Sequence, residues 1–204
     1  LLLYALSTGS ARLLSEWCRG LSVPSAQTTF FNFTASHDGI GMRPLEGILD
    51  PSEISHLIER LRKNGAYVSM RRQTDGREVP YEINITYFDA LRDPEINPDR
   101  FHIPRFLASQ AAALVLPGVP AVYIHSLLGS RNWTEGITKT GRARSINREQ
   151  LSADSVAAEI ENPGSERTRV FQSYRHMVKV RTCQPAFHPQ AAARVLHLDD
   201  RVFA

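Results

Sequence analysis

His37 and Asp38 stand side by side in TTFFNFTASHDGIGMRP, the stretch from Thr28 to Pro44. An imidazole and a carboxylate meet there at the end of an apolar, β-branched and aromatic run, with Gly39 and Gly41 just beyond. Such a pair can grip hydroxyl groups, and the carboxylate can stabilise positive charge developing on a bound molecule. A second group lies much further along the chain. The polar segment from Ser130 to Glu149 carries Lys139, Arg142, Arg144 and Arg148. Guanidinium forks match phosphate oxygens in pairs. Taken as residue types alone, the first motif also fits a plain turn with His37 exposed, and the second a solvated surface loop.

The elements that must position these groups follow from periodicity. Thr28 to Ala35 reads as a strand, and its near-continuous bulk suits one covered on both faces, as in a parallel sheet. VPAVYIHSLLG reads as a second short apolar strand. Between them, a helix opens at Asn97-Pro98 and runs through IPRFLASQAAALVL to Pro117-Gly118. Strand, helix, strand implies a crossover between parallel strands. In a parallel α/β barrel, functional groups sit at the carboxyl ends of strands, so both candidate groups should face one mouth. The segment 130–149 is expected to be a long loop.

Other elements frame this unit. Ser10 is a plausible cap for a helix whose Leu13, Leu14, Trp17 and Cys18 share a face, with Trp17 expected in the core. Asp50-Pro-Ser-Glu-Ile is a strong helix start with its stripe at Ile54, Leu57, Ile58 and Leu61. AYVSMRR and VPYEINITYF bracket Asp75-Gly76, the signature of a β-hairpin. Asn84, Tyr87 and Asp89 follow it, and each could touch the site. His125 could face the mouth or be a satisfied buried imidazole, and Trp133 could stack on a ligand or pack structurally. Helices are expected near 150–161 and from a Ser165 cap to Cys183. The last stretch, from Ala186, reads as β-rich.

The chain has 204 residues, 42% hydrophobic and 22% charged, which suffices for one sizeable core. A net charge of +3 points to neither nucleic acid nor membrane as a partner. No run of about 18 apolar residues predicts a membrane span. Cys18 and Cys183 fit no metal spacing and are expected as free thiols in a reducing cytoplasm. LLLYAL is too short and lacks the basic flank of a signal peptide. Both ends read as cut, as if the chain were part of a longer one.

FNFTASHDGIG resembles the fourth conserved segment of the α-amylase superfamily, where a strand ends in His-Asp. GIGMRPLEG, YEINITYFDAL, LPGVPAVYIHSLLGSRN, GRARSINRE and the Ala186–Pro189 stretch resemble the sucrose phosphorylase branch, with its glucosylglycerate phosphorylase relatives. The resemblance spans nearly the whole chain. It implies an α/β fold: residues 1–184 as the C-terminal part of a (β/α)8 TIM barrel, and 185–204 as the start of a small β domain. It implies retaining transfer of an α-glucosyl unit between a small glucoside, of sucrose or glucosylglycerate type, and inorganic phosphate, with no metal or organic cofactor. By this resemblance Asp38 matches the transition-state stabiliser, His37 a sugar-hydroxyl ligand and Arg144 a contact to the glucosyl unit. Arg142 and Arg148 are candidates for acceptor and phosphate binding.

Enzymes of this class pair a nucleophile with an acid/base about 5–5.5 Å away. In the family both sit on earlier strands, and this chain holds no candidate pair, so the chain alone is expected to be inactive. Two other readings remain: a hydrolase or transglucosidase of the same superfamily, and a non-catalytic sugar-binding protein that kept Asp38.

Overall fold

A computed structural model describes residues 1–204. The fold is α/β. Two short strands, β1 (Phe31–Asn32) and β5 (Val119–Pro120), pair in parallel with Phe31 opposite Val119. The chain between them holds β2 (Ile40–Gly41), α3 (Pro51–Lys63), β3 (Tyr67–Arg72), β4 (Glu78–Asn84), α4 (Tyr87–Ala90) and α5 (His102–Val115). The expected crossover is therefore present, with a hairpin inserted in it. That hairpin forms a separate antiparallel sheet of order β2-β4-β3, in which Ile40 lies opposite Ile83 and Arg72 opposite Glu78. Gly76 turns the hairpin at φ 85°, where a side chain would be strained.

Helix α3 starts as its sequence dictates. The Asp50 side chain accepts from the Glu53 backbone, Glu53 reaches back to the Asp50 N–H at 3.1 Å, and Pro51 occupies the first turn. Glu53 also accepts from the Tyr4 hydroxyl, which ties α3 to α1 (Leu2–Thr8). The buried side of α3, at Leu57, Ile58 and Leu61, meets Ile83 and Ile85 of the hairpin arm, Phe88, Phe106 and Val170 in one core. Phe106 packs edge-on against Phe88 at 5.1 Å.

After β5 come α6 (Ile124–Leu127), α7 (Thr134–Thr140), a 3-10 turn at Ala143–Asn147, α8 (Ala153–Glu161) and α9 (Glu166–Cys183). The Ser165 hydroxyl caps α9 by accepting from the Thr168 N–H at 2.9 Å. Helix α9 lies along α5. Tyr174 donates to Gln110 Oε1 at 3.0 Å, and buried Arg181 donates to the Leu114 and Gly118 carbonyls, satisfying acceptors that the end of α5 leaves open.

Several expectations are corrected. The strand read over Thr28–Ala35 is ladder-paired only at Phe31–Asn32, and its two faces are not both covered: Phe31 is 67% and Phe33 56% exposed. With a partner on one side only, little ladder can form. VPAVYIHSLLG is a strand only at Val119–Pro120, since Pro120 has no N–H to donate, and it continues as α6. The helix expected from Asn97 begins at His102. The expected loop 130–149 contains α7 and the 3-10 turn. Trp17 of α2 (Arg12–Arg19) is 44% exposed, while its neighbours Leu14 and Cys18 are buried against Ala5. No strand forms over 185–204: a 3-10 turn at Pro185–Phe187 is followed by irregular chain, with a Leu196 N–H to Ala204 carbonyl bond of 2.8 Å.

Candidate active site

The loop leaving β1 carries Ser36, His37 and Asp38 and enters β2 at Ile40. Gly39 lets it pass tight against β4. A Cβ there would lie 2.6 Å from Glu82 Cγ and 2.7 Å from the Ile83 carbonyl oxygen, so no other residue fits without a shift. The loop is clamped from the far side. Asn147 Nδ2 donates to the Ser36 carbonyl at 2.6 Å and the Asp38 carbonyl at 3.2 Å, and Arg148 Nε donates to the His37 carbonyl at 2.8 Å. Asn147 is itself fixed by Tyr123, whose hydroxyl donates to its carbonyl at 2.6 Å.

The 3-10 turn points Arg144 into this junction. Its Nη1 donates to Asp38 Oδ1 at 2.8 Å, while Nε and Nη2 form a parallel fork to Glu82, each at 2.9 Å. Arg148 Nη2 reaches the same Asp38 Oδ1 at 3.0 Å. Asp38 Oδ2 has no protein partner. The fork to Glu82, then the Glu82 charge and the Asp38 charge, raise the Arg144 pKa above its ordinary value against the cost of its desolvation. Beside Asp38 a cavity of about 300 Å³ is lined by Phe33, Thr34, Ile85, Tyr87 and Asn147 among others. The His37 side chain is 69% exposed and does not line the cavity; its Nε2 lies 3.7 Å from Asp38 Oδ1.

Of the six residues on which the sequence analysis opened, His37, Asp38, Arg144 and Arg148 are thus brought together. Arg142 is not. It is exposed at the start of the 3-10 turn, and its backbone N–H donates to Thr140 Oγ1. Lys139 lies near Glu135 at 3.5 Å and over the Trp133 ring, and that ring packs across Gly136 within the same short helix. His125 is a satisfied buried imidazole, with Nδ1 3.0 Å from Ser130 Oγ, and burial lowers its pKa. Tyr87 lines the cavity, whereas Asp89 is buried away from it in an ion pair with Arg131 at 3.0 Å. Two site residues were not foreseen. Glu82 was read only as part of an alternating strand, and Asn147 as part of a polar loop. Neither carried a sequence signal: Glu82 shows its role only through its burial and its partner Arg144, 62 residues away.

No protein-family model matches the chain. Similarity to individual proteins is high. Glucosylglycerate phosphorylase of Allomeiothermus silvanus is 41% identical over 96% of this chain and 35% of its own length. The protein of that name from Escherichia coli is 41% identical over 93% and 34%. The chain is similar to proteins named glucosylglycerate phosphorylase over nearly all of its own length. Sucrose phosphorylase of Agrobacterium vitis is a further relative, 32% identical over 92% of this chain. The chain spans about a third of the length of the curated relatives it matches, and aligns with their C-terminal part. Its fold matches the crystal structure of sucrose 6F-phosphate phosphorylase from Thermoanaerobacter thermosaccharolyticum with a TM-score of 0.80, over 98% of this chain and 37% of that one, at 24% identity.

Proposed function

We propose that this chain is the Asp38-bearing part of a retaining glycoside phosphorylase, one that moves an α-glucosyl unit between a small glucoside and inorganic phosphate. The carrying observation is the asymmetry at Asp38. Two guanidinium groups converge on Oδ1, and Oδ2 is left to accept hydrogen bonds from a sugar beside the cavity. The names of the relatives supply the substrate class.

In this reading Asp38 strengthens its hold on the sugar as positive character grows on the ring. His37 binds a neighbouring hydroxyl. The glucosidic C–O bond breaks as a nucleophilic carboxylate outside this chain takes the glucosyl unit and an acid/base, also outside it, protonates the departing aglycone oxygen; a phosphate oxygen then forms the new C–O bond, giving its proton to that acid/base, while the carboxylate leaves. Phosphate must approach carboxylates that repel it. Arg144 engages three of its five N–H groups with protein and Arg148 two of its five, so both keep donors for an incoming anion. Arg142, set apart from this cluster, is at most an outer contact. The reading needs no metal or organic cofactor. Residues 1–184 are assigned to the C-terminal portion of a catalytic (β/α)8 barrel and 185–204 to the opening of a β domain. We infer a cytoplasmic location from the two unbridged thiols, Cys18 and Cys183.

The test uses the whole protein with sucrose and with glucosylglycerate, in the presence and absence of phosphate. Glucose 1-phosphate is expected to form only with phosphate, to fall by about 100-fold or more in Asp38→Asn, and to need higher phosphate in Arg148→Ala. Phosphate-independent turnover would assign a hydrolase or transglucosidase instead. Sugar binding with no turnover would assign a binding protein.

A further inference from the structure

Past Asn32, whose carbonyl accepts from the Ala121 N–H at 2.7 Å, the chain leaves the ladder of β1 and β5. The main chain is next held at Ser36, whose carbonyl accepts from Asn147. Between these points, residues 33–35 make one hydrogen bond within this chain: Thr34 Oγ1 donates to Gln110 Oε1 at 3.0 Å. Asp38 stands four residues further on, and Thr34 lines the cavity beside it.

Gln110 sits on α5 at the seam with α9 and is 1% exposed. An apolar side chain would fill that space at no polar cost, whereas a buried amide must find partners. Gln110 finds them. Its Oε1 accepts from the Tyr174 hydroxyl at 3.0 Å as well as from Thr34, and its Nε2 donates to Ser109 Oγ at 2.9 Å. The Ser109 proton goes to the Phe106 carbonyl, so Ser109 can only accept from Gln110. That requirement fixes the amide, with nitrogen toward Ser109 and oxygen toward the two hydroxyls. Burial pushes the Tyr174 hydroxyl up to about 12, so it stays a donor through the neutral range. A satisfied buried network holds one geometry. The arm of this one that leaves the α5–α9 seam is the bond to Thr34.

We propose that Gln110 is a positioning residue for Asp38, acting through Thr34 to set where the His37-Asp38 loop leaves the sheet. The loop is then pinned on both sides: from α5 before Ser36, and from the 3-10 turn by Asn147 and Arg148 after it. Loss of the first pin lets the carboxylate drift from a bound sugar while the fork between Arg144 and Glu82 stays whole. The effect on turnover rests on the proposed role of Asp38. The anchoring of the loop does not.

The test uses the whole protein and two readouts. Thr34→Val removes the hydroxyl and keeps the outline of the side chain. Gln110→Met keeps its length and removes the amide. In each, backbone hydrogen exchange over residues 36–39 is expected to quicken about fivefold or more. The kcat for glucose 1-phosphate formation should fall about tenfold or more, with the KM for phosphate held within about twofold. The double variant should be no slower than the worse single one, because both cut the same bond. Thr34→Ser, which keeps a hydroxyl, should retain most of the rate. Ile58→Val, a loss of packing in the α3 core, should lower the thermal midpoint and leave kcat unchanged. Should Gln110→Met fail to fold, Thr34→Val decides by the same criteria. Unchanged exchange over residues 36–39, losses that add in the double variant, or an equal fall of kcat in Ile58→Val would overturn the proposal. Faster exchange in a protein that forms no glucose 1-phosphate would uphold the anchoring and count against the phosphorylase reading alone.

Discussion

Arg144 and Glu82 face each other through two parallel hydrogen bonds, each 2.9 Å long, although 62 residues separate them in the chain. The carboxylate is buried and the guanidinium half-exposed, so Glu82 fixes the plane in which Arg144 presents Nη1 to Asp38. A bidentate pair of this kind sets direction as well as strength.

Glu82→Gln therefore removes the fork and frees Arg144 to rotate. In the whole protein the expected result is a fall in kcat/KM of about 100-fold, as for a misplaced positioning group, with a lower thermal midpoint. Steady-state kinetics at saturating phosphate, beside a melt of the same preparation, check both. A variant with native kinetics would show that Arg144 needs no help from Glu82.

Gly39→Ala tests the close passage of the His37-Asp38 loop over β4. Its new methyl group would collide with Glu82 Cγ and with the rigid Ile83 carbonyl. Overpacking of this sort costs about 1–3 kcal/mol. The expected outcome is a matching loss in urea-unfolding free energy together with weakened sugar binding, because Asp38 moves with the loop.

Asn132→Ala probes the anchor of the arginine-bearing segment. Asn132 Oδ1 accepts from the Thr86 N–H at 2.9 Å and from its hydroxyl at 3.1 Å, and Nδ2 donates to the Asn64 carbonyl at 3.0 Å. Truncation leaves the buried Thr86 N–H without an acceptor, a cost of about 1–3 kcal/mol, while the hydroxyl still accepts from the Asp89 N–H. Hydrogen exchange is expected to accelerate at Thr86 and through the 3-10 turn.

Stability should decline on mild acidification. Burial lowers the pKa of His102, whose Nε2 lies 2.7 Å from the Phe88 carbonyl, and lowers that of His125 as well. A histidine with a depressed folded pKa is protonated first in the unfolded chain. Its contribution is complete above its ordinary value of 6.5 and is lost as pH falls through that value toward the lower folded one. Asp99 adds a further loss only at lower pH, below its ordinary value of 3.8: burial pushes its pKa up, but Arg105 and the Asp93 and Phe101 N–H groups more than offset this. The urea midpoint is expected to be flat above about pH 7 and to fall toward about pH 5. His102→Gln should flatten part of that slope.

Local signals were legible where the physics is local. The Asp50-to-Glu53 capping box, the Ser165 cap and the Asp75-Gly76 turn each fix a boundary through atoms a few residues apart, and the structure shows each. The His37-Asp38 motif could be placed because a strand, a polar pair and two glycines are contiguous. Glu82 could not, since its partner arrives from a turn 62 residues away and nothing in YEINITYF announces it. Trp17 misled because helical periodicity defines a face without saying how far the neighbours extend along it. Arg142 and Arg144 look alike in GRARS, yet only one points inward from the 3-10 turn.

Arg181 gives the folded unit a well-defined finish. By closing the carbonyls of Leu114 and Gly118 it makes the last turn of α9 a bolt for the far end of α5. A protease that trims the chain back to Thr182 would leave that bolt in place, and one that removes Thr182 and Arg181 as well would draw it. Beyond that guanidinium the chain is irregular but still moored, by Thr29 Oγ1 to the Pro189 carbonyl at 2.9 Å and by Gln190 Nε2 to the Thr28 carbonyl at 2.7 Å, so the latch at Arg181 and these two ties would have to yield separately.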